Sequence, residues 1–265
     1  MAYSTLEVRD DGSVHWLTLN RPASLNALNP TMVDELRDYF SKLPEWRPIR
    51  IVVLRGAGRG FCAGLDLKEG AGGDGVGSVQ ASLRGQRHIS ELVMMMRRAP
   101  QVFIACVHGP ACGGGFALAL ASDVRIAGES ARMNAAFIRI GLSACDVGVS
   151  YFLPRLVGVS VASELLLTGR FINAPRALAT GLVSEVVPDD KMEAAAQKLV
   201  DDMLLTSPLG LRLTKECLNA SIDAASLDQV VAMEDRNQIL CAQTNDFREG
   251  ITAFLQKRKP EYTES

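Results

Sequence analysis

Three short apolar runs constrain the fold most: "IRIVVLRGAG" from Ile49, "QVFIACVHG" ending at Gly109, and "VRIAG" ending at Gly128. Each is too short for an ordinary helix and stops at glycine, which reads as a buried strand that delivers a loop. Stretches of helical spacing lie between them, such as "LRGQRHISELVMMMRRA", which stops before Pro100. Strand, loop and helix alternate from residue 50 to about 187. That order predicts an α/β architecture with its functional groups on loops at strand ends.

The flanks follow other patterns. "TLEVRD" and "VHWLTLN" around a turn at Asp11 and Gly12 predict a hairpin whose alternation suits a half-buried sheet. In "LNPTMVDELRDYFSKL", Asn29 is a candidate N-cap, with Pro30 in the first turn and Met32, Leu36, Tyr39 and Leu43 at helical spacing. Residues 70–77, "GAGGDGVG", predict a mobile loop, because glycine loses the most backbone entropy on ordering. From about residue 190 four amphipathic helical segments follow one another. The chain therefore divides into a core over 1–190 and a helical oligomerisation region over 191–265.

Composition narrows the function. A formal charge of −2 on 265 residues supplies no basic field for a phosphate backbone, so nucleic acid is not an expected partner. No apolar run reaches the roughly 18 residues of a membrane span, and the start lacks a secretory pattern, so a cytoplasmic protein is expected. The six cysteines form no CxxC pair and only three histidines occur, so no metal site and no disulfide is expected. No GxSxG is present, and His15 and His108 lie in or at the end of strand-like runs, which suits structural roles.

Two glycine-containing loops are the best candidates for chemistry: "FCAGLDL", residues 61–67, and "PACGGGFAL", residues 110–118. Glycine lets backbone amides approach a ligand, and amides at Gly113, Gly114 and Gly115 precede a helix expected to start near Phe116. Amides aimed from two loops at one point form an oxyanion hole. Close helix-to-strand packing is an equally good reason for three glycines. Asp146 stands alone as the acidic residue in "NAAFIRIGLSACDVGVSYFLPRLVG", where it is a candidate N-cap as well as a candidate base.

The segments "LNRPASLNAL", "GRGFCAGLDL", "HGPACGGGFALALASDVRIA", "LTGRFINAPRALATGLVSEVV" and "FREGITAFLQKRK" together resemble the crotonase superfamily, the enoyl-CoA hydratase/isomerase family. The resemblance implies a ClpP/crotonase-like spiral of ββα turns with C-terminal helices that trimerise, as a homotrimer or a hexamer built from two trimers. It implies an acyl-CoA substrate whose thioester carbonyl is polarised by the amides of Leu65 and Gly114, with coenzyme A entering as part of the substrate and no tightly bound cofactor. Coenzyme A would lie along Arg21 to Ala23 and Ala63 to Lys68, Asp66 included, with Phe254 and Lys257 reaching it from a neighbouring subunit.

Two departures matter. Hydratases of this family carry glutamates at the positions that are Ala117 and Phe137 here. Syn addition of water uses one carboxylate for the water and another for the α-proton, and neither group is available. Asp146 lies near where isomerase, dehalogenase and dihydroxynaphthoyl-CoA synthase branches carry a catalytic carboxylate. One base suffices for a 1,3-proton shift, although aspartate, with an ordinary pKa of roughly 3.9, would need its apolar neighbours to strengthen it. Asp66 and Asp123 read as turn or cap residues, while Arg132 and Arg139 read as surface or loop-pairing groups, one of which could face Asp146. An enoyl-CoA isomerase leads, and a hydratase with a rearranged site or a non-catalytic acyl-CoA-binding protein remain the alternatives.

Overall fold

The apolar runs form strands of a computed structural model that describes residues 3–69 and 78–264; the glycine-rich stretch expected to be a loop, 70–77, lies outside the described residues. In chain order the strands are β1 (Leu6–Asp11), β2 (Val14–Leu19), β3 (Ile51–Gly56), β4 (Val102–Val107), β5 (Pro110–Cys112), β6 (Val124–Gly128), β7 (Arg132–Asn134), β8 (Ile172–Asn173) and β9 (Glu185–Val187). A six-stranded sheet runs β1-β2-β3-β4-β6-β9, and a three-stranded one runs β5-β7-β8. The first pair is the expected antiparallel hairpin, and the other neighbours in the large sheet are parallel.

The helices are α1 (Pro30–Lys42), α2 (Val79–Arg98), α3 (Gly114–Ala121), α4 (Val149–Val157), α5 (Val159–Thr168), α6 (Ala174–Ala179), α7 (Met192–Leu204), α8 (Pro208–Ser221), α9 (Leu227–Ala242) and α10 (Asn245–Gln256). As the sequence suggests, Asn29 caps α1, its side chain accepting the Met32 amide at 2.9 Å.

Alternation along the strands explains why the large sheet is buried on both faces. Val52 and Leu54 of β3 point into the larger core with Phe103, Leu17 and α1 to α3, whereas Ile51 and Val53 join Trp16, Ile104 and Ile126 on the other face. Met192, Ala196 and Val200 of α7 close that second core. β2 is accordingly buried along its whole length rather than half-buried, because a helix some 180 residues later covers the face its alternation left open. Each fully enclosed aromatic or aliphatic side chain in these cores contributes roughly 1.5–3 kcal/mol.

The two sheets share one repeating path. β4 in the large sheet passes to β5 in the small one and then to α3, and β6 passes to β7 before the helices α4 and α5. Earlier turns do the same with single bridges: Cys62 pairs with Ala111 beside β5, and Leu65 pairs with Leu28. Long strand, short extended segment and helix therefore recur, and each turn sets the loop after one strand against the loop after the next. This is the mixed α/β spiral expected of the ββα repeat.

Beyond α7 the chain is tied down by buried polar groups. Lys215 of α8 is 5% exposed and pairs with Asp123 at 2.9 Å. The buried Asp246 at the start of α10 accepts the amides of Thr263 and Glu264, folding the last residues back on that helix. Large apolar side chains stay exposed on the outer helices, including Leu218, Leu227, Ile239, Phe254 and Leu255.

Candidate active site

The loop after β3 is held by its neighbours on both sides. Leu28 N donates to Gly64 O at 2.7 Å, and Asp66 N donates to Leu28 O at 3.0 Å. In such a parallel bridge the residue between the two bonded ones, Leu65, turns its own amide the opposite way. On the far side Cys62 accepts the Cys112 amide at 2.9 Å and donates to Pro110 O at 3.1 Å. The two glycine loops thus touch: a Cβ added to Gly64 would stand 2.7 Å from Cys112 O and 3.5 Å from Gly114 N. Gly64, at φ +95°, needs both the conformational freedom and the missing side chain.

The second loop enters α3 two residues earlier than expected, with Gly113 as N-cap and Gly114 already in the first turn. Gly113 N is committed to Asn134 O at 2.9 Å, so it is not among the amides open to a ligand. Gly114 N and Leu65 N donate to no protein acceptor among the described residues. Close packing operates in the same triplet: a Cβ on Gly115 would fall 2.2 Å from Cys62 O, so only glycine lets α3 seat against the first loop. Close packing thus accounts for Gly115, while the amide of Gly114 is left open among the described residues.

Phe137 connects these loops to Asp146. Its ring carbons lie 3.4–3.7 Å from where a Gly113 Cβ would be, and its carbonyl accepts Leu142 N at 3.1 Å, where the segment leading to Asp146 begins. Phe137 is 8% exposed and Ala117 is fully enclosed, so the wall beside the two amides is apolar at both positions.

Asp146 is half-buried, and its place differs from a helix cap. The N-cap of α4 is Gly148, at φ +81° and without a capping side chain. The Asp146 carboxylate turns back instead: Oδ1 accepts Val147 N at 2.8 Å and Gln86 Nε2 of α2 at 2.5 Å. The other oxygen, Oδ2, has no protein partner among the described residues. Neither arginine faces it: Arg132 stacks over Phe171 at 5.3 Å, and the Arg139 side chain lies against Gly169.

Among the residues expected along coenzyme A, Arg21 is heavily engaged. Its guanidinium donates to Ala27 O at 2.6 Å, Asp66 at 2.9 Å and Glu69 at 2.7 Å, tying the 21–27 segment to the 63–69 loop. Arg21 holds the Asp66 carboxyl below the usual carboxylate range, and Asp66 Oδ1 also accepts the amides of Lys68 and Glu69. Ala23 and Lys68 are exposed and Ala63 half-buried along the same edge. Asn26, fully buried at φ +56°, donates to Ala57 O and Gly60 O and accepts from Arg21 N. It holds the edge together although nothing in its local sequence singles it out.

Phe254 is 83% exposed, and Lys257 closes α10 at φ +53°. Asp246 and Glu264 of that terminal unit act electrostatically on Arg50, which precedes β3. The unit therefore sits at the start of β3, whereas the Leu65 loop leaves its end.

Other reactive groups are quiet. Burial pushes the thiols of Cys62 and Cys106 up to about 12, which suits inert core cysteines. His15 Nδ1 lies 2.9 Å from the Tyr39 hydroxyl inside an aromatic cluster. Among the described residues no metal-binding cluster occurs, and no helix is long and apolar enough to cross a membrane. A cavity of about 880 Å³ opens between α2, α4 and α8, lined by Val93, Met94, Gly148, Phe152 and Asn219; its lining includes neither amide-bearing loop.

Known proteins resemble the chain over most or all of their length. The "Probable enoyl-CoA hydratase echA12" of Mycobacterium leprae is 39% identical over 246 residues, covering 91% of this chain and 84% of its own. The 1,2-epoxyphenylacetyl-CoA isomerase of Escherichia coli K12 is 36% identical, covering 93% of this chain and 94% of its own. The crystal structure of an enoyl-CoA hydratase from Bacillus anthracis superposes with a TM-score of 0.93 at 34% identity, over 99% of this chain and all of that one. With the family model for enoyl-CoA hydratase/isomerase matching residues 9–265, from the first hairpin to the last residue, the chain belongs to the enoyl-CoA hydratase/isomerase family.

Proposed function

We propose that the protein is an acyl-CoA enzyme that shifts a double bond through a thioester enolate, with Asp146 as its single proton carrier. The observation that carries this reading is the conjunction of two amides without an acceptor among the described residues, Leu65 N and Gly114 N, with one half-buried carboxylate and an apolar wall at Ala117 and Phe137. A thioester oxygen placed between the amides gains two donors as it becomes an enolate, each contributing about 2.7–4 kcal/mol in sites where one was removed. Oδ2 of Asp146 takes a proton from one carbon and returns it at another two bonds away. Charge is conserved: the carboxylate is neutral only while the dienolate is negative.

Coenzyme A runs along the edge formed by Arg21, Ala23, Ala63, Asp66 and Lys68 in this reading, and Phe254 and Lys257 serve a neighbouring subunit of a trimer or hexamer. The Escherichia coli relative is named an isomerase of a CoA thioester, 1,2-epoxyphenylacetyl-CoA, which supports isomerisation of an acyl-CoA on a scaffold of this kind. Hydration is the competing reading, favoured by the name of the Mycobacterium leprae relative, but it needs a second acid–base group that Ala117 and Phe137 cannot supply.

The test is an enoyl-CoA panel followed by NMR in D₂O for the wild type and Asp146→Asn. Isomerisation by the wild type and its loss, by 100-fold or more, in the variant are expected. Unchanged isomerisation in Asp146→Asn removes Asp146 from the mechanism. Water addition to crotonyl-CoA faster than any double-bond shift moves the assignment to a hydratase.

A further inference from the structure

We infer that Gln86 of α2 is the positioning residue of Asp146, fixing which carboxylate oxygen carries the proton. This rests on the proposed role of Asp146 as base and assigns a task to a residue 60 positions away. Among the described residues both donors to the carboxylate converge on one oxygen, Gln86 Nε2 at 2.5 Å and Val147 N at 2.8 Å both meeting Oδ1 and none meeting Oδ2. A carboxylate accepts only, so the Gln86 group facing it is the NH₂. With Oδ1 held from the helix and from the backbone, the carboxylate cannot rotate about its last bond without breaking both contacts. Oδ2 is left as the oxygen free to take a proton.

The helix that carries Gln86 is seated where this requires. Val93 lies two turns further along the same face of α2, and its Cγ2 is 3.6 Å from where a Gly148 Cβ would be. Val93 and Gly148 are thus neighbours where α2 passes the loop, and Gln86 meets Asp146 two residues before Gly148. Val147, at the uncommon φ of +43°, follows Asp146 directly, and its amide is the backbone donor to Oδ1. A neutral amide suits the task better than an arginine would. It orients the carboxylate without adding a positive charge beside it, and among the described residues neither Arg132, stacked over Phe171, nor Arg139, whose stem lies against Gly169, is paired with Asp146.

The experiment measures kcat and KM for double-bond isomerisation, together with α-proton exchange in D₂O, for the wild type, Gln86→Leu, Gln86→Glu and Asp146→Asn. Loss of one hydrogen bond to a charged group predicts a fall in kcat of roughly 10- to 100-fold in Gln86→Leu at unchanged KM, because Gln86 touches the base and not the substrate. Gln86→Glu keeps the length of the side chain, replaces the donor by an acceptor, and should fall at least as far. Melting curves accompany each variant; should Gln86→Leu melt early, Gln86→Glu decides. A kcat within twofold of wild type in a folded variant overturns the inference, and so does a raised KM with kcat intact. Exchange lost in Asp146→Asn but retained in Gln86→Leu defeats the positioning role alone, whereas exchange retained in Asp146→Asn defeats the base on which it depends.

Discussion

Asp123→Asn tests how the C-terminal helices are fastened to the spiral. The Lys215 ammonium donates to Met96 O at 3.1 Å, Gln101 O at 2.6 Å and Asp123 Oδ2 at 2.9 Å, so its three donors are used while its side chain is only 5% exposed. Asp123 Oδ2 also accepts Phe103 N at 2.8 Å from β4. Burial lowers the Lys215 pKa and the Asp123 charge opposes it. Asparagine preserves the shape but removes that charge, leaving a buried ammonium without its counter-ion. Breaking a buried pair from one side costs about 3–5 kcal/mol, and the 17% exposure of the Asp123 side chain places this one near 3. At about 2.1 cal/mol/K per residue, a chain of 265 residues has an unfolding entropy of about 0.56 kcal/mol/K, so the melting temperature should fall by about 5 °C.

Calorimetry at pH 7 reads that change. The sign with pH follows from the lowered pKa: the cost of burying the charged lysine is present at neutral pH. It is relieved as pH rises through the folded value toward the unfolded 10.5. Asp123→Asn lowers the folded value further, so its deficit should shrink first on the alkaline side. The double variant Asp123→Asn/Lys215→Met should lose less than the sum of the two single changes, since the second removes the charge that the first stranded. A melting temperature within about 1 °C of wild type for Asp123→Asn, or strict additivity in the double variant, would refute the reasoning.

Gly115→Ala should be costly in both stability and turnover. Its Cβ would sit 2.2 Å from Cys62 O, so α3 must back away from the Leu65 loop, at about 1–3 kcal/mol of stability with a larger loss in kcat/KM than in acyl-CoA affinity; unchanged melting and kinetics would show that the loops are not in tight contact. Glu164 gives a pH signature. Hydrogen bonding to Arg176, with further help from Arg170, holds its carboxyl at about 2, well under the usual 4.5. Its stabilisation is therefore complete above about pH 4.5 and is lost as pH falls toward 2, so the difference in melting temperature between wild type and Glu164→Gln should close over that range. A difference that persists unchanged to pH 2 contradicts the ion pair.

Where the fold was legible, the signal was local. Strands ending in glycine, the Asn29 cap and the helical run after residue 190 each depend on residues within one or two turns of each other. The short strands β5, β7 and β8, two or three residues each, carry no period to read, and exist because each pairs with a neighbour already placed by the long sheet. The second buried face of β2 depends on α7, so alternation in β2 alone could only indicate a half-buried strand.

The candidate site divides along the same line. Glycine loops announce themselves, because exposing a backbone amide requires residues without side chains. Which amide remains free does not: Gly113 is spoken for by Asn134 of β7, 21 residues later, and Gly114 has no acceptor among the described residues. Asp146 was visible as a solitary carboxylate, yet its orientation belongs to Gln86, an exposed glutamine in a helix with no local mark of function. The bond between them depends on how α2 lies beside Gly148, where an added side chain would have met Phe152 at 2.9 Å and Val93 at 3.6 Å. The proposed proton carrier therefore depends on how α2 packs against this loop, and a change there that moves α2 by about an ångström would alter the placing of the Asp146 carboxylate without touching it.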